Sequence, residues 1–156
     1  MALKDTLAAV RAQVVANVTA GIAAGVPVYD YWRNLADEAT RNSVLKDTGG
    51  KLHVWMVGLS AESPLLQVAM GPNVTQGDLH FEANGYLALA DATATEKTFD
   101  AEVCDVLDVF RADKHLNALA INAWPISRTA GGWVQLANVL CHYARLNVTV
   151  RVKVEC

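Results

Sequence analysis

The alternation of apolar and polar positions divides the chain into two helices and a series of strands. In residues 3–24, Leu3, Leu7, Val10, Val14, Val18 and Ile22 recur at three- and four-residue steps, the spacing that lines one face of a helix. Val15 widens the stripe, and Gly25 is placed to end the helix in a left-handed turn. Val26-Pro27-Val28-Tyr29 then predicts a short extended segment. Pro27 has no amide donor, so the segment belongs at a sheet edge or a strand start. A second helix is predicted over Thr98–Lys114, with Phe99, Val103, Val106, Leu107 and Phe110 in one stripe. Thr98 is suited to cap it, and Asp100 and Glu102 fall where the helix dipole favours negative charge.

Between and after these helices the period shortens to two. Lys51–Leu59 (KLHVWMVGL) and Leu65–Met70 read as strands, the second ended by a turn at Gly71-Pro72-Asn73. In Asp78–Ala90, Leu79, Phe81, Ala83, Leu87 and Leu89 share one parity, against His80, Glu82 and Asn84 on the other. Gly85 within it implies a bulge or a close backbone approach. Leu116–Trp124 reads as a strand closed by Pro125, and Ile126–Gly132, with its Gly131-Gly132 pair, as a loop. The last segment alternates most regularly: Ala144, Leu146, Val148, Val150, Val152 and Val154 face one way, and Tyr143, Arg145, Asn147, Thr149, Arg151, Lys153 and Glu155 the other. Asn34–Leu45 is polar with scattered apolar residues and reads as an irregular helix within an excursion over residues 30–50. Single-sided helices alternating with half-buried strands predict a two-layer α+β sandwich: a mostly antiparallel sheet with two amphipathic helices on one face.

At 156 residues the chain suits one domain, and roughly 68–70% of the unfolded surface is buried at this size without a disulfide or metal staple. A hydrophobic share of 53% against 19% charged residues excludes a disordered chain. The excess is mostly Ala and Val and hints at surface buried against a partner. Net charge is −3 and no basic run occurs, so sequence-specific nucleic-acid binding is not expected. Asp5 and Arg11 interrupt the apolar N-terminal stretch, no secretory signal or membrane span is expected, and the Asn-x-Thr sequons at Asn17, Asn73 and Asn147 are then coincidental. Cys104, Cys141 and Cys156 form no CxxC pair and read as free thiols in a reducing compartment.

Candidate chemistry is sparse. His53, His80, His115 and His142 have no partner at metal-ligand spacing. His53 and His80 could meet across neighbouring strands, but ordinary surface histidines explain them as well. His142 shares the apolar parity of the last strand and reads as a core histidine. Cys141 and His142 point to opposite faces and cannot form a nucleophile–base pair, and Cys104 reads as core packing. Asp105 and Asp108 are three apart on the second helix, where an exposed acidic face is the simpler reading than acid–base catalysis. Gly131-Gly132 after Arg128 could cradle an anion or simply turn the chain. Trp32, Trp55, Trp124 and Trp133 suit core or interface packing more than ligand stacking. No phosphate-binding loop, dinucleotide fingerprint or nucleophile elbow is present. No catalytic residue, metal site or cofactor is expected.

The order of elements resembles the tail-terminator and neck (head–tail joining) proteins of tailed phages. The segments carrying the resemblance are Leu3–Val28, Thr98–Phe110, and the closing block Gly132–Val154 (GWVQLANVLCHYARLNVTVRV). The resemblance implies a virion structural protein, made in the host cytoplasm, that forms a ring, usually of six copies, at the head–tail junction. Its partners would be its own copies, the tail tube and the neck or connector proteins, with no reaction, cofactor or membrane. Interface residues expected on this basis are Arg145, Arg151 and Lys153, meeting Asp105 or Asp108 of a neighbour, with Arg128 and Trp133 at the supposed loop. The alternatives are a small-ligand-binding domain with a pocket between helices and sheet near Trp55 and Phe81, and a small enzyme of another type.

Overall fold

In the computed structural model, which describes residues 2–33, 43–60, 68–71 and 74–155, the chain is an α+β sandwich. Helix α1 (Leu3–Ala20) leads to β1 (Val28–Tyr29), β2 (His53–Leu59), β3 (Val68–Gly71) and β4 (Val74–Ala88). Helix α2 (Thr95–Ala112) follows, then the long strands β5 (Asn122–Leu136) and β6 (Val139–Glu155). The sheet has six strands in the order β1-β2-β4-β6-β5, with β3 also on β4. It is antiparallel except where β1 runs parallel to β2. β1 therefore lies at an edge, as Pro27 requires; the Pro27 carbonyl still accepts the Trp55 amide at 3.0 Å.

Both helices pack on the same face. Val10, Val14 and Val18 of α1 meet Phe99, Val103, Val106 and Phe110 of α2 over Trp55, Phe81 and the inward residues of β6. Ala144 through Val152 of that row are fully buried, as the alternation predicted, and each valine or leucine so buried contributes roughly 1.5–3 kcal/mol. A smaller cluster covers one end of the opposite face, where Leu45 and Leu52 meet Val54, Met56 and Cys141. β2 is thus buried on both sides, and this is why HVWMVG is apolar without a clean alternation.

Gly85 marks a close approach, not a bulge: pairing runs unbroken through Trp55↔Gly85↔Ala144. A Cβ there would lie 2.5 Å from the Trp55 ring.

Several boundaries differ from the sequence expectation. α2 begins at Thr95, with Ala94 in the left-handed region as its N-cap, so Thr98 lies inside the helix. Thr95 serves the preceding chain instead, its Oγ1 accepting the Ala90 amide at 2.9 Å. The expected strand over Leu116–Trp124 is turns as far as Leu119, with Leu116, Asn117 and Ala118 at positive φ, and β5 starts only at Asn122. The Asp113 carboxylate holds that turn, accepting the Asn117 amide at 2.8 Å and the Asn17 side-chain amide of α1 at 3.0 Å.

The supposed loop over Ile126–Gly132 is strand. β5 runs through it beside β6, absorbing its irregular residues in register shifts between Trp124 and Ser127 and between Arg128 and Ala130. An edge strand tolerates a proline and bulges that an inner strand does not. Residues 34–42 of the supposed irregular helix, Leu65 to Gln67 of the expected strand, and Pro72 and Asn73 of its turn lie outside the described residues, as does Cys156.

Candidate functional site

The sheet sorts the candidate residues onto two faces. Arg145, Arg151 and Lys153 stand on the face of β6 away from the helices, while Asp105 and Asp108 are exposed on α2, in the other layer. Within the chain the structure does not bring these groups together. Arg151 is engaged locally: it donates to both oxygens of Asp78 across the β4–β6 ladder, at 2.8 and 3.0 Å. That hydrogen bond is the main reason the Asp78 carboxyl titrates below its usual 3.8 and the guanidinium of Arg151 is held still more firmly protonated. Arg145 Nε lies 3.9 Å from Glu82, and Lys153 is exposed. Asp108 pairs with Arg111 along the helix.

Arg128 and Trp133 face the helix side. Arg128 reaches Asp100 of α2 at 2.9 Å, its guanidinium occupying the space that a side chain at Gly131 would need. The Gly131-Gly132 pair is therefore no anion cradle: the first glycine makes room for Arg128. Trp133, opposite His142 in register, is 67% exposed.

The histidines behave differently from the expectation. His53 and His80 do not meet: His53 pairs with Leu87, seven residues along β4 from His80, on the order of 20 Å away. Nor is His53 a surface residue. It is buried, and its Nε2 donates to Oε1 of Glu102 at 2.8 Å, the same oxygen that accepts Nε1–H of Trp55 at 2.7 Å. Asp47 approaches the other ring nitrogen of His53 at 3.9 Å. Glu102 thus lies inside the sandwich, more than a turn beyond the helix start, and ties α2 to β2. Its position was legible: residues 99, 102, 103 and 106 share one side of a helix. His142 is a buried core histidine bonded to Thr95 Oγ1 at 3.0 Å, its ring stacked on Phe99. Cys104, expected in the core, is exposed, because the helix rotates Phe99, Val103 and Val106 inward. Burial pushes the Cys141 thiol up to about 11 and the Tyr86 hydroxyl, stacked on Tyr143, up to about 12.

Concavities adjoin some of these residues. On the outer sheet face a polar cleft of about 580 Å³ is lined by Trp32, Ser60, His80, Glu82, Arg145 and Thr149, among others. Between the end of α1 and the outer side of α2 runs a shallow groove of about 750 Å³, floored by small residues and edged by Asp105 and Asp108. The space near Trp55 and Phe81, where a ligand pocket was an alternative, is filled by those two fully buried rings and Phe99. Among the described residues no three His, Cys, Asp or Glu side chains are grouped to hold a metal ion, and no helix is long and apolar enough to cross a membrane. No family model matches the chain, and no curated protein matches its sequence.

Proposed function

We propose that the chain is a structural virion protein of a tailed phage, forming a ring that caps the tail tube and joins it to the neck. One observation supports this reading above the rest. The three segments that carry the resemblance fall on α1 with β1, on α2, and on the β5–β6 hairpin, the elements that build the two-layer sandwich. The chemistry suits a scaffold: the buried polar groups His53, Glu102 and His142 bond to one another or to core neighbours. A ring needs two different patches, one on each side of a subunit, and a rotation that closes. The basic outer face of β6 and the acidic outer face of α2 are two such patches. Lys153 is the cation to test, since reversing Arg151 would also set a carboxylate against Asp78.

Light scattering and negative stain of the purified protein, alone and with tail tubes, test the reading. A closed oligomer is expected, weakened by Lys153→Glu in a subunit that melts normally. A strict monomer under every condition, with no copy in the virion, refutes it. The polar cleft around Arg145 favours the second reading, a small-ligand-binding domain. Saturable binding of a small molecule by a monomer, lost in Arg145→Ala, would establish that one.

A further inference from the structure

We infer that the polar cleft on the outer sheet face binds a neutral saccharide, with Trp32 as its aromatic wall and Glu82, Arg145 and Asn147 as its hydrogen-bonding groups. The inference rests on the second reading, that this cleft takes a small molecule, and names the class of that molecule. It does not need the ring: Lys153 lies eight residues along β6 from Arg145, on the order of 25 Å away. Strand register assembles the site. Gly58, Glu82 and Asn147 stand side by side across β2, β4 and β6. Gly58 has no side chain, and the Trp32 indole takes that space: a Cβ at Gly58 would lie 2.4 Å from the ring. The indole therefore stands beside Glu82, with the residue still 43% exposed. Asn147, also exposed, ends the row on the other side. Arg145 follows on the same face of β6. Its Nε stops 3.9 Å from Glu82 Oε2, beyond hydrogen-bond reach, and meets no acceptor among the described residues. At about 580 Å³ the cleft has the size of a small-molecule site.

The charges in the cleft select the ligand. A phosphate or carboxylate drawn to Arg145 would also meet the Glu82 carboxylate, and an ammonium drawn to Glu82 would meet the guanidinium. An apolar ligand would take water from Glu82, Arg145 and Asn147 and return no hydrogen bond. A sugar meets each of these groups on its own terms. A hydroxyl both donates and accepts, so neighbouring hydroxyls can donate to Glu82 and accept from Arg145 and the Asn147 amide. The hydrogen bonds to the two charged groups are the stronger kind. The C–H face of the sugar ring is then left for the apolar surface of the indole.

The test screens the purified protein against an array of neutral mono- and oligosaccharides and titrates the best of them by calorimetry. Saturable binding is expected. Trp32→Ala should weaken it by about three- to tenfold, the effect of losing an aromatic wall, and Trp32→Phe should keep most of it. Asn147→Ala, at an exposed position, should weaken it by about three- to tenfold with the melting temperature unchanged. Glu82→Gln separates the ligand classes. It should weaken saccharide binding by about tenfold, through loss of a charged acceptor, but would strengthen binding of inorganic phosphate. If no saccharide binds while inorganic phosphate or a free amino acid saturates the cleft and is lost in Arg145→Ala, the saccharide is overturned and the second reading stands. Saccharide binding that ignores Trp32→Ala, Glu82→Gln and Asn147→Ala lies elsewhere on the chain and also overturns it. If the folded protein binds none of these probes, the second reading falls together with the inference.

Discussion

Replacing Glu102 by leucine should cost the fold about 2–4 kcal/mol. Oε1 of Glu102 accepts Nε1–H of Trp55 at 2.7 Å and Nε2–H of His53 at 2.8 Å, and all three side chains are buried. Leucine strands both donors in the core, and each buried donor left without a partner costs about 1–3 kcal/mol. Removing the carboxylate also removes its own desolvation cost, which keeps the total to the lower half of the range. In a chain of this size each kcal/mol lowers the melting temperature by about 2–4 °C, so a loss of roughly 5–15 °C is expected. Glutamine keeps an oxygen where Oε1 stands and gives up only the charge, so Glu102→Gln should lose about 1–2 kcal/mol. Thermal unfolding followed by circular dichroism, with urea titration as a second measure, decides between them. Trp55→Phe removes one of the two stranded donors, so in the leucine background it should cost less than in the natural protein, a coupling read from a double-mutant cycle. Equal melting of the leucine and glutamine variants, or a loss below 1 kcal/mol for leucine, would refute the view that Glu102 fastens α2 to β2.

Three further expectations follow from the sheet. Val150→Asp puts a charge on a fully buried face of β6, at a cost of several kcal/mol, and should give insoluble protein; a soluble variant melting like the natural chain would show that the inward parity is wrong. The Asp78–Arg151 pair lowers the Asp78 pKa in the folded state, so its contribution is present above the ordinary value of 3.8 and fades as pH falls through the lowered one; Asp78→Asn should flatten the acid limb of a stability-against-pH curve in that window, and an unchanged limb would count against it. Ellman's reagent should modify exposed Cys104 in the native protein, whereas Cys141, buried and raised to about 11, should react only on unfolding; rapid native labelling of Cys141 in a Cys104→Ser, Cys156→Ser background would contradict its placement.

The elements legible in the sequence were those whose period is set by one buried face. β6 and the stripes of α1 and α2 belong to this group, because burial on one side leaves a regular mark. β5 was misread because Pro125 and Gly131-Gly132 follow the local grammar of turns, whereas the fifteen-residue strand is held by its pairing with β6, which no local rule registers. The start of α2 was displaced because Thr98 looks like a cap, while the chain uses Thr95 to hold the Ala90 amide. Of the interface candidates, Lys153, Asp105, Asp108, Arg128 and Trp133 are exposed. The engagement of Arg151 with Asp78 depends on the register of two strands more than seventy residues apart and could not be seen locally. Glu102 was read as a helix-start acid because its partners lie on β2, although its place inside the apolar stripe was visible.

The two interruptions in β5 bear on how such a protein can be made in quantity. An uninterrupted edge strand presents a row of free amides and carbonyls on which another chain can grow, and a crowded population of such subunits is at risk of fibres. Here the pairing slips twice, between Trp124 and Ser127 and between Arg128 and Ala130, with Pro125 contributing no amide in the first interval. An incoming strand would find the regular edge confined to Ala130–Leu136, not running the length of β5. Copies of the chain at high concentration are therefore less prone to join edge to edge along β5.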